Sequence, residues 1–453
     1  MAPKPVLIAL CLALAVPAAL AAGQQAETGQ PAQDAAAHQL PLALQEAWQA
    51  AIDNNHGLRS KEFLLQAERD GVREAWAALL PHLDAYASYG WSEYTRDYGS
   101  IVGERDESDG ASRYDISLNQ VLYSRRAGQG IKYARAAEQL SAADLDAYRL
   151  HIGYLAIEAW LEASRLEADI RLVSAQIATE EKRLEQLETM RQHGFASRAD
   201  TLQAQAGLDE IRAELEQLRS HERAARIHLQ AVTGLDVRQR SLLPLPADGW
   251  RSTPLLLERD WQASALQNSG ELQRARSELK LAEQNVKVEQ GAHWPEFNLT
   301  ARYNKNDSFS TNVLEESRVE VSVRLPLYSG GATSARVRQA RQRMHAGSYQ
   351  VQDTENNTRV EVSRLVEELR GSHGRIRALH TARDSAAAAL DAAEQGFAGG
   401  VRNLNELLDS RTRLSRIERE LNDAIHSNAM LQYRLRMTAG TLAEKDLPPA
   451  SQG

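Results

Sequence analysis

The chain contains two copies of one structural unit. Residues 81–89 (PHLDAYASY) and 114–124 (YDISLNQVLYS) return as residues 295–303 (PEFNLTARY) and 319–329 (VEVSVRLPLYS). Each pair precedes a long proline-free stretch, a Gly-Phe-Ala sequence, a second helical stretch and a closing Thr-Gly or Ala-Gly. A repeat of this length indicates duplication of a whole unit rather than a short solenoid motif. The chain is therefore predicted to be a duplicated protomer with two strands per copy.

The N-terminus has the features of a secretory signal peptide, which we assign to residues 1–22. Lys4 precedes an apolar run, and small residues such as Ala21 follow it. Residues 23–40 are rich in Gln and Ala without periodicity and are predicted to be flexible. The one cysteine, Cys11, lies inside the apolar run after Leu10, where a lipid-attachment site has a small residue, so we do not expect lipidation. The mature chain then has no thiol for a disulfide.

Several classes of function are disfavoured by composition and motifs. A net charge of -8 supplies no basic stripe for nucleic acid. The sequence has no zinc-protease motif, no nucleophile elbow, no phosphate-binding loop and no cysteine cluster. His373 and His380 are seven residues apart on a predicted helix, and we interpret them as surface or seam residues. We therefore expect no enzyme activity, no catalytic residue, no cofactor and no metal.

Four segments alternate apolar and polar residues with the period of a β-strand. They are predicted at about residues 82–91, 113–123, 296–304 and 318–327. One oily face, one polar face and terminal tyrosines are typical of an outer-membrane β-barrel wall, with a half-buried sheet of a soluble protein as the alternative. Residues 91–112 and 304–317 are polar and are predicted to be solvent-facing loops. Four strands cannot close a barrel, so copies of the chain must share one; two, three or four copies remain open.

Each copy also carries helices that are too long for a compact domain. The proline-free stretches at about residues 128–192 and 332–395 have apolar residues at alternating steps of three and four, the spacing of a coiled coil. Each is predicted to turn at a Gly-Phe-Ala sequence, at residues 194–196 and 396–398. The first repeat then covers residues 41–234 and the second 258–440, with a proline-containing linker at 235–257 and a flexible tail at 441–453.

In this order, these features resemble the TolC family of bacterial outer-membrane export ducts from about residue 42 to residue 442. The most specific segments are residues 325–332 (LPLYSGGA), the two Gly-Phe-Ala sequences and residues 403–409 (NLNELLD). The resemblance implies an α+β membrane protein in the outer membrane that extends into the periplasm. It implies a homotrimer whose chains each give four strands to a twelve-stranded β-barrel and long coiled-coil helices to a periplasmic α-helical barrel.

The resemblance also implies partners and cargo. The duct would contact outer-membrane lipid and dock through a periplasmic adaptor to an inner-membrane ABC or proton-driven transporter. The adaptor would dock on the hairpin tips at Gly194, Phe195, Ala196, Gly396, Phe397 and Ala398. The absent lipid signal favours secretion of polypeptides by a type I system over efflux of drugs. The alternative function is a periplasmic coiled-coil adaptor or scaffold, which would not explain the duplicated strands.

An aperture at the periplasmic end is the remaining implication. Glu406 and Asp409 match two acidic positions of the family's aperture, and their spacing puts them on one helix face, where threefold repetition would make an acidic ring. Arg402, Asp200 and Phe397 match positions that latch the family's closed aperture. Phe397 has no hydroxyl where the family has a tyrosine, so Arg402 with Asp200 or a backbone carbonyl is the expected latch.

Overall fold

The duplicated pattern appears in the structure as two repeats of helix, strand pair and long helical hairpin. The structure, a computed structural model, describes residues 41–97, 104–238, 240–246, 248–308 and 311–448. The predicted signal peptide, the segment 23–40 that was predicted to be flexible, and residues 449–453 lie outside the described residues. The prediction of a flexible tail from residue 441 was wrong for residues 441–448, because Leu442 and Leu447 are buried in the main core. The elements of the first repeat are α1 (Leu44–Asn54), α2 (His56–Ala77), β1 (His82–Asp97), β2 (Glu104–Ser124), α3 (Arg125–Gln192) and α4 (Arg198–Thr233).

The linker ends in the short helix α5 (Thr253–Leu257), and the second repeat follows it with the same order of main elements. They are α6 (Trp261–Asn268), α7 (Gly270–Gly291), β3 (Glu296–Ser308), β4 (Thr311–Arg324), α8 (Ala332–Ala398) and α9 (Leu404–Thr438). Short 3-10 turns lie at Gly249–Ser252 and Glu444–Asp446. This order confirms the predicted α+β protomer with four strands and two long hairpins.

The four strands form one antiparallel sheet in the order β1-β2-β3-β4. Leu83 pairs with Leu118, Leu118 with Ala301, and Ala301 with Val319, so the apolar residues of all four strands share a face. β1 and β4 each pair on one side only within the described residues. The sheet therefore has one continuous apolar face and two open edges.

The strands are longer than their hydrophobic pattern predicted. Residues 91–112 and 304–317 were expected to be polar loops, but most of them continue the ladders of β1–β2 and β3–β4. Backbone hydrogen bonds hold this polar extension, and Lys305 Nζ lies 2.6 Å from Glu315 Oε1 across β3 and β4. β4 in turn ends at Arg324 rather than near 327, since Pro326 cannot donate to a ladder.

The long helices lie side by side in two sets that share α3 and α8. Nearer the strands, α2, α3, α7 and α8 pack in that order, and farther away the order is α4, α3, α9 and α8. Ser124 caps α3 directly at the end of β2, and 68 residues of helix extend roughly 100 Å from there. No described helix is both long enough and apolar enough to cross a membrane.

The main core lies where the linker meets the two hairpins. Trp160 of α3 is 1% exposed, and its Nε1 donates to the Leu42 carbonyl at 3.1 Å. Leu42 also forms a bridge to Leu242 of the linker. A side chain on Gly153 would collide with the Trp48 ring, so a glycine is required where α1 crosses α3. This core fixes α1 and the linker against the middle of α3.

Candidate aperture at the hairpin tips

The first hairpin turns at Gly194, as predicted. α3 ends at Gln192, Gly194 has a φ of 81°, and the Phe195 amide donates to the Met190 carbonyl at 2.8 Å. Ser197 then caps α4 in a capping box with Asp200, the third residue of that helix. The turn leaves the Phe195 side chain 79% exposed at the tip.

The second hairpin turns later than predicted. α8 continues through Gly396, Phe397 and Ala398, and the left-handed residue is Gly400, with a φ of 70°. The amide of Val401 donates to the Gly396 carbonyl at 2.8 Å, so residues 396–398 belong to the last helical turn. The prediction of a turn at 396–398 was therefore wrong, because the two Gly-Phe-Ala sequences are not structurally equivalent.

The true equivalence of the two tips lies in their capping residues. Gly400 corresponds to Gly194, and the Val401 side chain is 86% exposed, as Phe195 is on the other tip. Asn403 caps α9 by accepting from the Glu406 amide at 2.9 Å, which matches Ser197 and Asp200. Both turns share one sequence signal. A glycine is followed three residues later by a polar capping residue, and an acidic residue follows three positions after that.

Phe397 lies between the hairpins instead of on a tip. Its half-buried ring joins an apolar cluster with Leu187 of α3 and Leu404 of α9. The Arg183 guanidinium lies 4.7 Å from the centre of the ring. Phe397 therefore connects the two hairpins through apolar and cation–π contacts, which need no hydroxyl.

Arg402 and Asp200 have other partners in the described chain. Arg402 Nε lies 3.9 Å from Glu406 Oε2 in an exposed pair. Asp200 accepts from the Ser197 hydroxyl at 2.7 Å, and this hydrogen bond is the main cause of the lowered pKa of Asp200. No ion pair joins Arg402 to Asp200 within the described part of the chain, so their latch stays a prediction.

A buried charge cluster joins the hairpins about two helical turns farther from the tips. Arg411 of α9 lies 3.2 Å from Glu180 of α3 and also binds Glu394 of α8. The side chains of Arg411 and Glu180 are 13% and 8% exposed. Burial lowers the pKa of nearby Arg183, whose own charge is disfavoured beside Arg411. This cluster was missed from the sequence, since nothing local distinguishes these charged residues from solvated ones.

The two predicted ring residues lie at the start of α9. Glu406 and Asp409 are both exposed, whereas Leu404 and Leu407 on the other side of the helix are buried. Glu406 accepts from the Asn403 side chain at 3.1 Å, and Asp409 has no ion-pair partner among the described residues. Both carboxylates are therefore exposed next to the tips, with Glu406 beside Arg402. No group of acidic, His or Cys side chains in the described residues is arranged to hold a metal ion.

A second polar cluster joins α3 to α9 near the middle of these helices. Asp169 accepts from Asn422 Nδ2 at 2.7 Å and from Arg165 at 3.2 Å. His426 Nδ1 lies 2.9 Å from the Asn422 carbonyl oxygen. Burial is the main cause of both pKa shifts here, upward for Asp169 and downward for His426.

Comparisons with known proteins agree with this arrangement. The family model described as outer membrane efflux protein matches residues 47–235 and 261–441, one segment per repeat. The alkaline protease secretion protein AprF of Pseudomonas aeruginosa is 27% identical over 90% of this chain and 86% of its own length. The outer membrane protein TolC of Vibrio cholerae is 26% identical over 90% of this chain and 93% of its own length.

Solved structures share the fold. The outer membrane protein VceC of Vibrio cholerae superimposes with a TM-score of 0.74 at 20% identity, covering 88% of this chain and 96% of its own. A membrane protein of Pseudomonas aeruginosa gives a TM-score of 0.77 at 19% identity, covering 90% and 93%. The chain therefore belongs to the outer membrane efflux protein family, which includes TolC, and is an outer-membrane exit duct that extends into the periplasm.

Proposed function

We propose that three copies of the chain assemble into one duct, with twelve strands in the outer membrane. The observation that carries a shared barrel is the sheet with an apolar face and two open edges, β1 and β4, and the number three is the one that family membership implies. Open edges leave backbone groups unpaired, and lipid offers no hydrogen bonds to replace them. In a closed ring, each copy pairs its β1 with β4 of one neighbour and its β4 with β1 of the other, which satisfies both edges.

The helices support the same assembly. Phe63 on the outer side of α2 is 68% exposed, and Val360 on α8 is 67% exposed. Lys61 of α2 and Arg274 of α7 both approach Asp144 of α3, which puts Phe63 at the level of the α7–α8 contact. An α2 edge packed on the α8 edge of the next copy would bury these apolar side chains together.

The proposed cargo is polypeptide, delivered by an inner-membrane transporter through a periplasmic adaptor. Two relatives are named for the secretion of proteases, AprF and the PrtF protein of Dickeya chrysanthemi, which is 25% identical over 90% of both chains.

The exposed tip residues Phe195 and Val401 offer the adaptor an apolar contact. Glu406 and Asp409 would form the acidic ring of the aperture in the assembled duct.

Two measurements test the proposal. The first is the mass of the detergent-solubilised protein from separated membranes, where a trimer in the outer-membrane fraction is expected. A periplasmic monomer or dimer would support an adaptor or scaffold instead. The second compares a host with and without the gene, where loss of secreted polypeptides at unchanged drug sensitivity is expected. Raised drug sensitivity with normal secretion would make small molecules the cargo.

A further inference from the structure

The first turns of α3 and α8 carry a concentration of positive charge. Residues 125–137 contain four Arg or Lys residues and no Asp or Glu, and residues 332–352 contain four Arg residues and no Asp or Glu. The chain as a whole has a net charge of -8. We call the Arg and Lys residues of these two segments the basic collar.

Most of the collar has no anionic partner. Arg336 lies 3.8 Å from Glu289, but no other collar residue has a carboxylate of the described chain within ion-pair distance. Farther along the same helix, Arg364 pairs with Glu361 at 2.7 Å, as is usual for exposed arginines here. At Arg125 and Arg126, in the first turn of α3, positive charge is also disfavoured by the helix dipole. An external anion would relieve both effects.

The collar lies directly below the strands. α3 begins at Arg125 where β2 ends, and the Arg125 guanidinium lies 4.3 Å from the ring centre of Trp294. Tyr123 and Phe297 meet edge to face at this end of the apolar face. Trp and Tyr concentrate where a membrane meets water, so this level corresponds to the lipid headgroups.

Helix geometry directs the collar toward that level. Side chains on a helix lean toward its N-terminus, which for α3 and α8 is the end next to the strands. Lys132 follows Arg125 by seven residues and Arg135 follows Lys132 by three, so the three lie on one side of α3. All three are exposed. Their charged groups therefore approach the headgroup level from below.

We propose that the basic collar binds the phosphate groups of anionic phospholipids in the periplasmic leaflet of the outer membrane. The proposal rests on the proposed function, which puts the strands in that membrane. Clusters of about four to eight Lys or Arg beside a membrane segment attract anionic headgroups, and the arginine fork matches a phosphate. The collar then sets the depth of the duct in the membrane.

Native mass spectrometry of the purified protein tests this inference, with phosphatidylglycerol or phosphatidylethanolamine added as the probe. We expect the wild type to bind phosphatidylglycerol about tenfold more tightly, and two independent triple variants to lose most of that difference. The first variant removes collar charge from α3 and the second from α8. They are Arg125→Gln/Arg126→Gln/Lys132→Gln and Arg338→Gln/Arg341→Gln/Arg343→Gln.

A control removes the same number of exposed, unpaired cations near the first tip. It is Lys182→Gln/Arg191→Gln/Arg198→Gln, and it should keep the wild-type preference. Equal affinity for both lipids, or full preference in both collar variants, would overturn the proposal. If the collar variants keep the lipid preference but lose co-sedimentation with purified peptidoglycan, the collar binds the cell wall instead. Absence of a membrane-derived trimer would count against the proposed function, whereas a trimer without lipid preference would reject the collar alone.

Discussion

Arg411 is the side chain that we expect to contribute most to holding the two hairpins together. Arg411→Met leaves Glu180 buried without its partner, at a cost of about 3–5 kcal/mol, so the contact between the two hairpins should loosen. We predict a higher single-channel conductance in lipid bilayers. Arg402→Ser removes only an exposed pair worth at most about 1 kcal/mol and should raise conductance less.

A double replacement separates the charge cluster from a general defect. Glu180→Met with Arg411→Met replaces the pair by two apolar side chains, which is often neutral in a buried site. It should restore conductance toward the wild-type value. A conductance of Arg411→Met equal to that of the wild type would show that the cluster does not hold the aperture.

His426 should make the α3–α9 contact sensitive to acid. Burial lowers its pKa below the ordinary value of 6.5, so the folded state disfavours protonation. The stability that neutral His426 provides is complete above about pH 6.5 and is lost as the pH falls through the lower folded pKa. His426→Gln should be about 1 kcal/mol less stable than wild type at pH 7.5, and the gap should narrow toward pH 5. Thermal melts at several pH values measure this, and a constant gap would contradict it.

The hairpin tips show how one glycine decides where a helix ends. Gly194→Ala or Gly400→Ala forces a side chain into the left-handed region, which costs about 1–2 kcal/mol. Gly396→Ala lies within a helix, where its new methyl group meets only the flexible Arg402 stem at 3.0 Å. Amide hydrogen exchange at Phe195 and Val401 should therefore accelerate in the first two variants and stay unchanged or slow in Gly396→Ala. Faster exchange in Gly396→Ala than in Gly400→Ala would contradict a turn at Gly400 and would support the predicted turn at residues 396–398.

At the scale of the whole molecule, substitutions of two exposed phenylalanines distinguish assembly of the trimer from docking of the adaptor. Phe63→Asp puts a carboxylate into the proposed contact between copies, where burial of an unpaired charge costs several kcal/mol per contact. The trimer should dissociate in detergent, as measured by particle mass. Phe195→Asp, at a more exposed position on the tip, should keep the trimer and weaken adaptor binding. An intact trimer in Phe63→Asp would reject the proposed contact.

The proposed acidic ring would form only in the assembled molecule. Glu406→Ala with Asp409→Ala should lower the preference of the pore for cations, because the ring loses two carboxylates per copy. The ratio of potassium to chloride permeability measures this. Glu185→Ala with Glu188→Ala removes another exposed pair with the same spacing on α3 and should leave the ratio unchanged. If the ratio is unchanged in the first variant, Glu406 and Asp409 do not line the pore.

The sequence by itself determined the repeated architecture and the faces of its elements. Alternation through Leu299 and Val321 defines a sheet face, and the spacing of Leu184 and Leu187 defines a helix seam, because both depend on local backbone periods. The residues of the hairpin tips were predicted less well than the fold. The capping residues Ser197 and Asn403 mark the start of the helix after each tip and would have located both turns. Local sequence patterns specify the faces and the ends of helices and strands, because capping and periodicity involve residues only a few positions apart.

Only the tertiary structure decided the length of the strands, the second turn and the charges that join the hairpins. Polar residues continue β1 and β2 because their ladder partners hold the backbone, which hydropathy does not report. Phe397 was predicted at the tip but lies in the contact between the hairpins, because helix α8 extends to Ala398. Glu180 and Arg411 are 231 residues apart, and the packing of α3 on α9 alone brings them together in a buried site. The energy of such a pair depends on burial, which no local pattern of charges specifies.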